Sequence, residues 1–322
     1  MNFNYLSSTA PDAAPAKTLA RKAMLVKLTS SRPTTARREK AAEQVVRGQL
    51  GDASLTLSSH IFAGRNNPVR KVINEAGAVY SYHMAHTLAW QDRGPRILPV
   101  AAYEDYSREM RSLVSAMELQ VAALAPYYSV YVDGDITARM DAAYAAGRTP
   151  RARSEFATEY PTYDEFKARM KFEFLFTPMP DESHFLFDLD TDDKAAFKAQ
   201  LEQTEAAAKE ELTARIREPL LHLIEKLRVN IGTPGAIFRD SAVENIVDEC
   251  RIAESLAMGD ESLLAMIQEV RTAVRPHVMA MSQLRDSPTV RASAADKLAA
   301  VASRMSFLMG GDAPVAESGE AE

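Results

Sequence analysis

A chain of 322 residues, 46% hydrophobic and 25% charged, is long enough to bury one large core or two ordinary ones, and too apolar for wholesale disorder. Its formal net charge of -6 argues against a global electrostatic affinity for nucleic acid or an anionic membrane, while leaving local basic patches open. A single cysteine, Cys250, excludes an internal disulfide and a cysteine-rich zinc site.

Residues 1–17 are rich in Ala, Ser and Pro and read as a flexible leader. They lack the basic and apolar regions of a secretory signal, and no apolar run approaches the roughly 18 residues that span a bilayer. With one cysteine, the expected compartment is the reducing cytoplasm. From Lys17 to Arg47 the balance turns basic, with Lys17, Arg21, Lys22, Arg37 and Arg38 as candidate contact residues. Residues 24–28 suit a short strand or a helix end, and 35–49 reads as a helix behind Ser/Thr caps. A helix is expected over 67–88, where Pro68 suits the first turn and Val69, Val72, Ile73, Ala76, Val79 and Tyr80 recur at helical spacing. Gly94, Pro95 and Pro99 then forbid regular helix, while Trp90, Ile97 and Leu98 call for burial, which predicts a structured loop.

A further helix over 103–124 is expected to stop at Pro126, followed by a short one near 136–145 and an exposed basic turn over 148–153. Thr162 with Glu165 three residues later is a capping-box signature. The clear β signal comes next. Phe172, Phe174 and Phe176 alternate on one strand face, as do Phe185, Phe187 and Leu189, so 171–189 reads as a Phe-rich hairpin. An isolated hairpin is marginal, so this one has to pack on helices or join another strand. From 191 the chain reads as helical: one long segment to 229 with a kink near Pro219, then 240–258, 261–284 and 289–308. The expected fold is mainly α with a small β-hairpin (α+β), its long helices in the C-terminal half. Its organisation is a leader over 1–17, a mixed α/β region over 18–190, a helical region over 191–309 and a disordered acidic tail over 310–322.

No catalytic, metal or cofactor site is legible. His83 and His86 are three apart on one face of the expected helix but lack a third ligand. Asp133 and Asp135, and the acids over 188–193, miss the full cation-loop pattern. Cys250 sits among acids, which disfavour a reactive thiolate. The more informative candidates for nucleic-acid or partner contact are Arg65, Arg70, Lys71, Trp90, Arg93 and Arg96, interleaved with tyrosines. Cations for phosphates and ring faces for bases are what single-stranded nucleic acid requires. Aromatic residues at helical spacing are more often core.

Three blocks occur in order: Thr87 to Pro99 around Trp90-Gln91-Asp92-Arg93-Gly94, then Tyr160-Pro161 through Phe172-Glu173-Phe174 to Pro178-Met179-Pro180, and Ile237-Phe238-Arg239-Asp240-Ser241 to Asn245. Together they resemble a family of tailed bacteriophages and some bacteria that has no established activity. This chain departs from the family pattern in Gln91 between Trp90 and Asp92 and in Pro95 after Gly94. Members of that family look like neighbours of MoxR-type AAA+ ATPases and von Willebrand A-domain proteins. The resemblance therefore implies an adaptor in an ATP-driven remodelling system, or an accessory of phage DNA metabolism, working in the host cytoplasm. No site residues carry over with it.

Two functional classes lead, ahead of an enzyme with an unfamiliar site, for which no constellation of residues is recognisable. The first is a non-enzymatic helical adaptor or assembly protein, expected to be a homo-oligomer. The alternative is a single-stranded DNA-binding accessory protein of replication or recombination. The surroundings of Trp90, Arg93 and Arg96 discriminate between them: an open basic groove favours DNA, and side chains that knit elements together favour the adaptor.

Overall fold

The computed structural model describes residues 21–51, 54–64, 66–90, 94–180, 191–229, 241–279 and 281–308. In chain order the elements are Ala23–Ser31 (β1), Ala36–Arg38 (β2), Lys40–Leu50 (α1), Ser58–His60 (β3), Pro68–Glu75 (α2) and Gly77–Ala85 (α3). Leu88–Ala89 (β4), Arg96–Pro99 (β5), Tyr103–Leu124 (α4), Tyr128–Ala145 (α5), Arg153–Ala157 (α6), Tyr163–Arg169 (α7) and Lys171–Pro178 (β6) follow. The chain continues with Thr191–Arg228 (α8), Ser241–Leu256 (α9), Glu261–Met279 (α10), Met281–Asp286 (α11) and Pro288–Leu308 (α12). The architecture is mainly α, with one small sheet of order β4-β5-β1-β6, a two-stranded β2-β3 ladder, and the long helices in the C-terminal half. β1 pairs antiparallel with β5 from Ala23↔Pro99 to Val26↔Arg96, and β4 pairs antiparallel with β5.

Local expectations are met where local chemistry decides. Asn67 caps α2 through Val69 N at 2.9 Å, with Pro68 at its first position. Thr162 and Glu165 make both bonds of a capping box on α7. The departures are instructive. Residues 35–49 are not one helix: Ala36–Arg38 pairs with Ser58–His60, and helix begins only at Lys40. The helix expected over 67–88 divides at Ala76 and ends at Ala85, because Leu88 and Ala89 are taken by β5. The helix over 103–124 ends before Pro126 as expected, yet the proline does not end the helical path. It sits in a 3-10 turn, Ala125–Tyr127, near the start of the turn where no N–H is needed, and α5 resumes at once. The 261–284 segment is two helices, α10 and α11. The first strand of the Phe-rich hairpin is β6, which joins the sheet beside β1. Its expected partner strand, the leader over 1–17 and the acidic tail lie outside the described residues.

The chain forms two compact units from interleaved segments. The helical unit takes the described residues among 21–27, 85–104 and 176–308. Its core is built by stripes at helical spacing: Val243, Ile246, Cys250, Ala253 and Leu256 on α9, Leu263, Ile267, Val270 and Val274 on α10, and Leu212, Ile216, Leu220, Leu223 and Leu227 on α8. Against these, α12 contributes Ala294, Ala295, Leu298, Val301, Ala302 and Met305, and its alanines shorten the helix separation. Pro219 and Pro276 lie inside α8 and α10 without ending them. The aromatic unit takes 28–84 and 105–175. Its centre is a ring cluster in which Phe62 meets Tyr160 at 5.1 Å edge-on and Tyr128 at 6.1 Å, and Tyr128 meets Tyr163 and Phe166 at 5.7 and 5.4 Å. The phenol groups bond to Pro161 O from Tyr128 and Val121 O from Tyr163, so the rings are buried without unpaired hydroxyls.

Candidate functional site

The Trp90 region is a structural tie. In the helical unit, Arg96 on β5 donates from Nε to Thr87 Oγ1 at 2.7 Å, and from Nη2 to Thr87 O at 2.9 Å and Glu211 Oε1 at 2.8 Å. Glu211, on α8, also accepts the Ala89 N–H at 2.6 Å and pairs with Arg215 one helical turn on. Arg215 reaches back to the carbonyls of Ala85 and Thr87 at 2.8 and 2.7 Å. Burial pushes the Glu211 carboxyl up, but the Ala89 N–H and the Arg215 and Arg96 guanidiniums outweigh it and hold the pKa below the ordinary value. Arg96 keeps only 11% of its side chain exposed, and its Nε and Nη2 donors are engaged within the fold. Trp90 is half-buried against the apolar core of the same unit. Arg93 and Arg65 lie outside the described residues.

The other basic candidates are dispersed. Arg70 donates to Ala63 O at 2.8 Å and Lys71 is exposed, both in the aromatic unit, whereas Trp90 and Arg96 belong to the helical unit. Of the N-terminal set, Lys17 lies outside the described residues, and Arg21 and Lys22 are exposed. Arg37 and Arg38, also exposed, meet the basic turn that the sequence marks over 148–153. With Glu39, Arg151, Glu155 and Glu159 they line an open groove of about 550 Å³. Three arginines face three glutamates there. Arg38 is moreover committed to Glu43 at 2.8 Å, and Arg151 to Glu159 at 2.7 Å while lying 4.6 Å from the Phe156 ring. Side-chain bonding to Arg38 holds the Glu43 carboxyl below its ordinary pKa. A groove with balanced charge supplies little counterion release.

The titratable candidates resolve into packing. His83 is buried with Nδ1 2.6 Å from Tyr106 Oη. Asp133 pairs with Arg153, and Asp135 is a buried acceptor in the aromatic core. Cys250 is fully buried in α9, and burial pushes its thiol up to about 12. Among the described residues no group of three or more His, Cys, Asp or Glu side chains is placed to hold a metal ion.

A different surface stands out in the aromatic unit. Between Arg111 and Asp133 the only charged side chain is Glu118. Along α4 the buried stripe is Tyr106, Met110, Met117, Val121 and Leu124. Leu119 falls about half a turn away from that stripe and is 72% exposed. Ala116, Ala123 and Pro126 are exposed as well, and beyond the 3-10 turn Tyr127 and Val130 are 57% and 61% exposed. Tyr127 lies 6.3 Å from Tyr131 by ring centroids. Scattered exposed apolar residues need no explanation, but a run that is both exposed and nearly free of charge along two successive helices does. The sequence marks this face by its charge gap; the signal becomes legible only once Pro126 is known to continue the helical path.

No helix among the described residues is long and apolar enough to cross a membrane. Compared with known proteins, the chain matches no family model, no curated protein and no solved structure.

Proposed function

We propose that this chain is a helical adaptor or assembly protein that engages a protein partner through the solvent side of α4 and α5. The observation that carries the reading is the exposure of Leu119, Tyr127 and Val130 in a stretch of two successive helices whose one charged side chain is Glu118 and whose other exposed side chains are mostly small. Small residues let a second backbone approach closely, and the absence of charge selects an apolar stripe rather than a phosphate backbone. The occupant is therefore a partner helix. The side chains suited to the alternative, single-stranded DNA, offer less: Arg96 is committed to Thr87 and Glu211, and the Arg37–Arg151 groove is charge-balanced.

MoxR-type AAA+ ATPases and von Willebrand A-domain proteins, implied by the family resemblance, are the first partners to present, followed by a second copy of the chain. The test is co-chromatography with light scattering of the purified chain, alone and with each of those proteins, for wild type and for the Leu119→Glu/Val130→Glu variant. A complex or oligomer that forms with wild type and is lost in the variant supports the reading. A strict monomer that joins neither protein, or a complex indifferent to the variant, overturns it. Fluorescence anisotropy with labelled single-stranded DNA at low salt separates the alternative, whose binding has to weaken as salt rises.

A further inference from the structure

We propose that the helical unit holds a binding site for a small apolar carboxylate, in the cavity between α8 and the α9–α10 turn. This site is independent of the adaptor reading, which rests on the other unit. The cavity is about 230 Å³ and its floor is made by Leu88, Leu212, Leu256 and Ala257, each at most 2% exposed. Walls so shielded from solvent enclose apolar space that water gains little by filling. An apolar cavity of about 150 Å³ already holds one benzene ring, so this one suits a body of roughly ten non-hydrogen atoms.

The rim decides the head group. Lys209 Nζ lies 2.9 Å from Asp260 Oδ2 and 3.2 Å from Glu205 Oε1. Asp260 is in addition the acceptor for the Ser262 and Leu263 N–H groups and the Ser262 hydroxyl at the start of α10. Lys209 thus bonds both carboxylates, leaving a net charge of -1 that a second cation at the rim balances. Lys22 does not share in that network. It lines the same cavity, its ammonium 3.6 Å from where a Cβ on Gly259 would stand, and it makes no ion pair or hydrogen bond among the described residues. A cation at the mouth of an apolar cavity, with its donors unspent, matches a carboxylate on an apolar body. A cationic head would meet Lys22 unfavourably and would have to compete with Lys209 for Glu205 and Asp260.

Isothermal titration of the full chain with octanoate, octanol and octylamine tests this. Octanoate is expected to bind one per chain, roughly tenfold tighter than octanol, with octylamine weakest. Lys22→Gln removes the advantage of octanoate and leaves octanol unchanged. Ala208→Leu, which adds bulk at the cavity wall, removes both; should that variant fail to fold, Lys22→Gln decides alone. Absence of saturable octanoate binding, a preference for octanol or octylamine, or octanoate affinity unchanged by Lys22→Gln overturns the proposal.

Discussion

The Asp135 carboxylate accepts the backbone N–H of Phe62, 73 residues earlier in the chain, at 2.8 Å. Phe62 is one of two non-glycine residues with a left-handed backbone among those described, at φ 55°. A bulky side chain in that region costs free energy unless its surroundings hold it there. Here they do: the ring is gripped by Tyr128 and Tyr160, and the N–H is claimed by the same carboxylate that accepts the Tyr160 hydroxyl at 2.5 Å. Burial first, and then Asp135, raise the Tyr160 pKa, so the phenol remains a donor at every physiological pH.

Replacing Asp135 by Ala therefore strands two buried donors at once. The expected loss is about 2–4 kcal/mol of unfolding free energy, against about 1 kcal/mol for Tyr160→Phe, which removes the Asp135 bond and the longer one from Arg139 but leaves the carboxylate its other partner. Urea denaturation of the two variants checks the order. Equal losses would show that Asp135 does not hold Phe62.

The Arg96–Glu211–Arg215 tie carries a pH signature. The folded pKa of Glu211 lies below its ordinary value of 4.5, so its contribution is fully present above that value and is lost as pH falls through the lower folded value. Wild type is expected to lose stability on acidification below about pH 4.5 more steeply than Glu211→Gln. At neutral pH Glu211→Gln is destabilised, because two guanidiniums lose their counter-charge while half-buried. Denaturant midpoints for both proteins at pH 7, 5 and 3.5 read this out. Parallel profiles would place the acid sensitivity elsewhere, with Glu43 and Asp260, also held low, as the next carboxylates to vary.

What was legible in the sequence was whatever depends on neighbours in sequence. The capping box of Thr162 and Glu165, the Asn67–Pro68 helix start and the 3.6-residue stripes of α9 and α10 are local or periodic, and the structure repeats them. Pairing between distant segments was not legible. Ala36–Arg38 carries enough helix-forming residues to extend α1 backwards, and only its register with Ser58–His60 makes it a strand. The same limit hid the division into units. A linear reading sets a boundary near 190, whereas 85–104 pack with the C-terminal helices because β4 and β5 lie against α8 and α9. Arg96 was readable as a basic residue beside a tryptophan; that its partner is Glu211, 115 residues on, was not.

Leu119 and Val130 separate interaction from stability. Both are more than half exposed, so Leu119→Glu and Val130→Glu are expected to shift unfolding free energy by no more than about 0.5 kcal/mol. Ile246→Ala, in the fully buried α9 stripe, is expected to cost about 2–5 kcal/mol. Circular dichroism melts of the three variants check the contrast. A large loss in either glutamate variant would mean that the α4–α5 face is covered within the folded chain, and any change in association would then have to be attributed to unfolding.

Cys250 offers a readout of opening in the helical unit. Its thiol has no solvent exposure, and burial pushes its pKa to about 12, so at pH 8 the thiolate that reacts with disulfide reagents is scarce and shielded. Arg271 works against that rise and Glu254 and Glu249 with it. Because α9 packs against both α8 and α10, no small fraying motion at a helix end exposes position 250. Labelling by an aromatic disulfide is therefore expected to be slow in native buffer, to reach one thiol per chain in denaturant, and to accelerate in Ile246→Ala in proportion to its loss of stability. Rapid native labelling, or a rate untouched by Ile246→Ala, would show that α9 opens separately from the core it packs into.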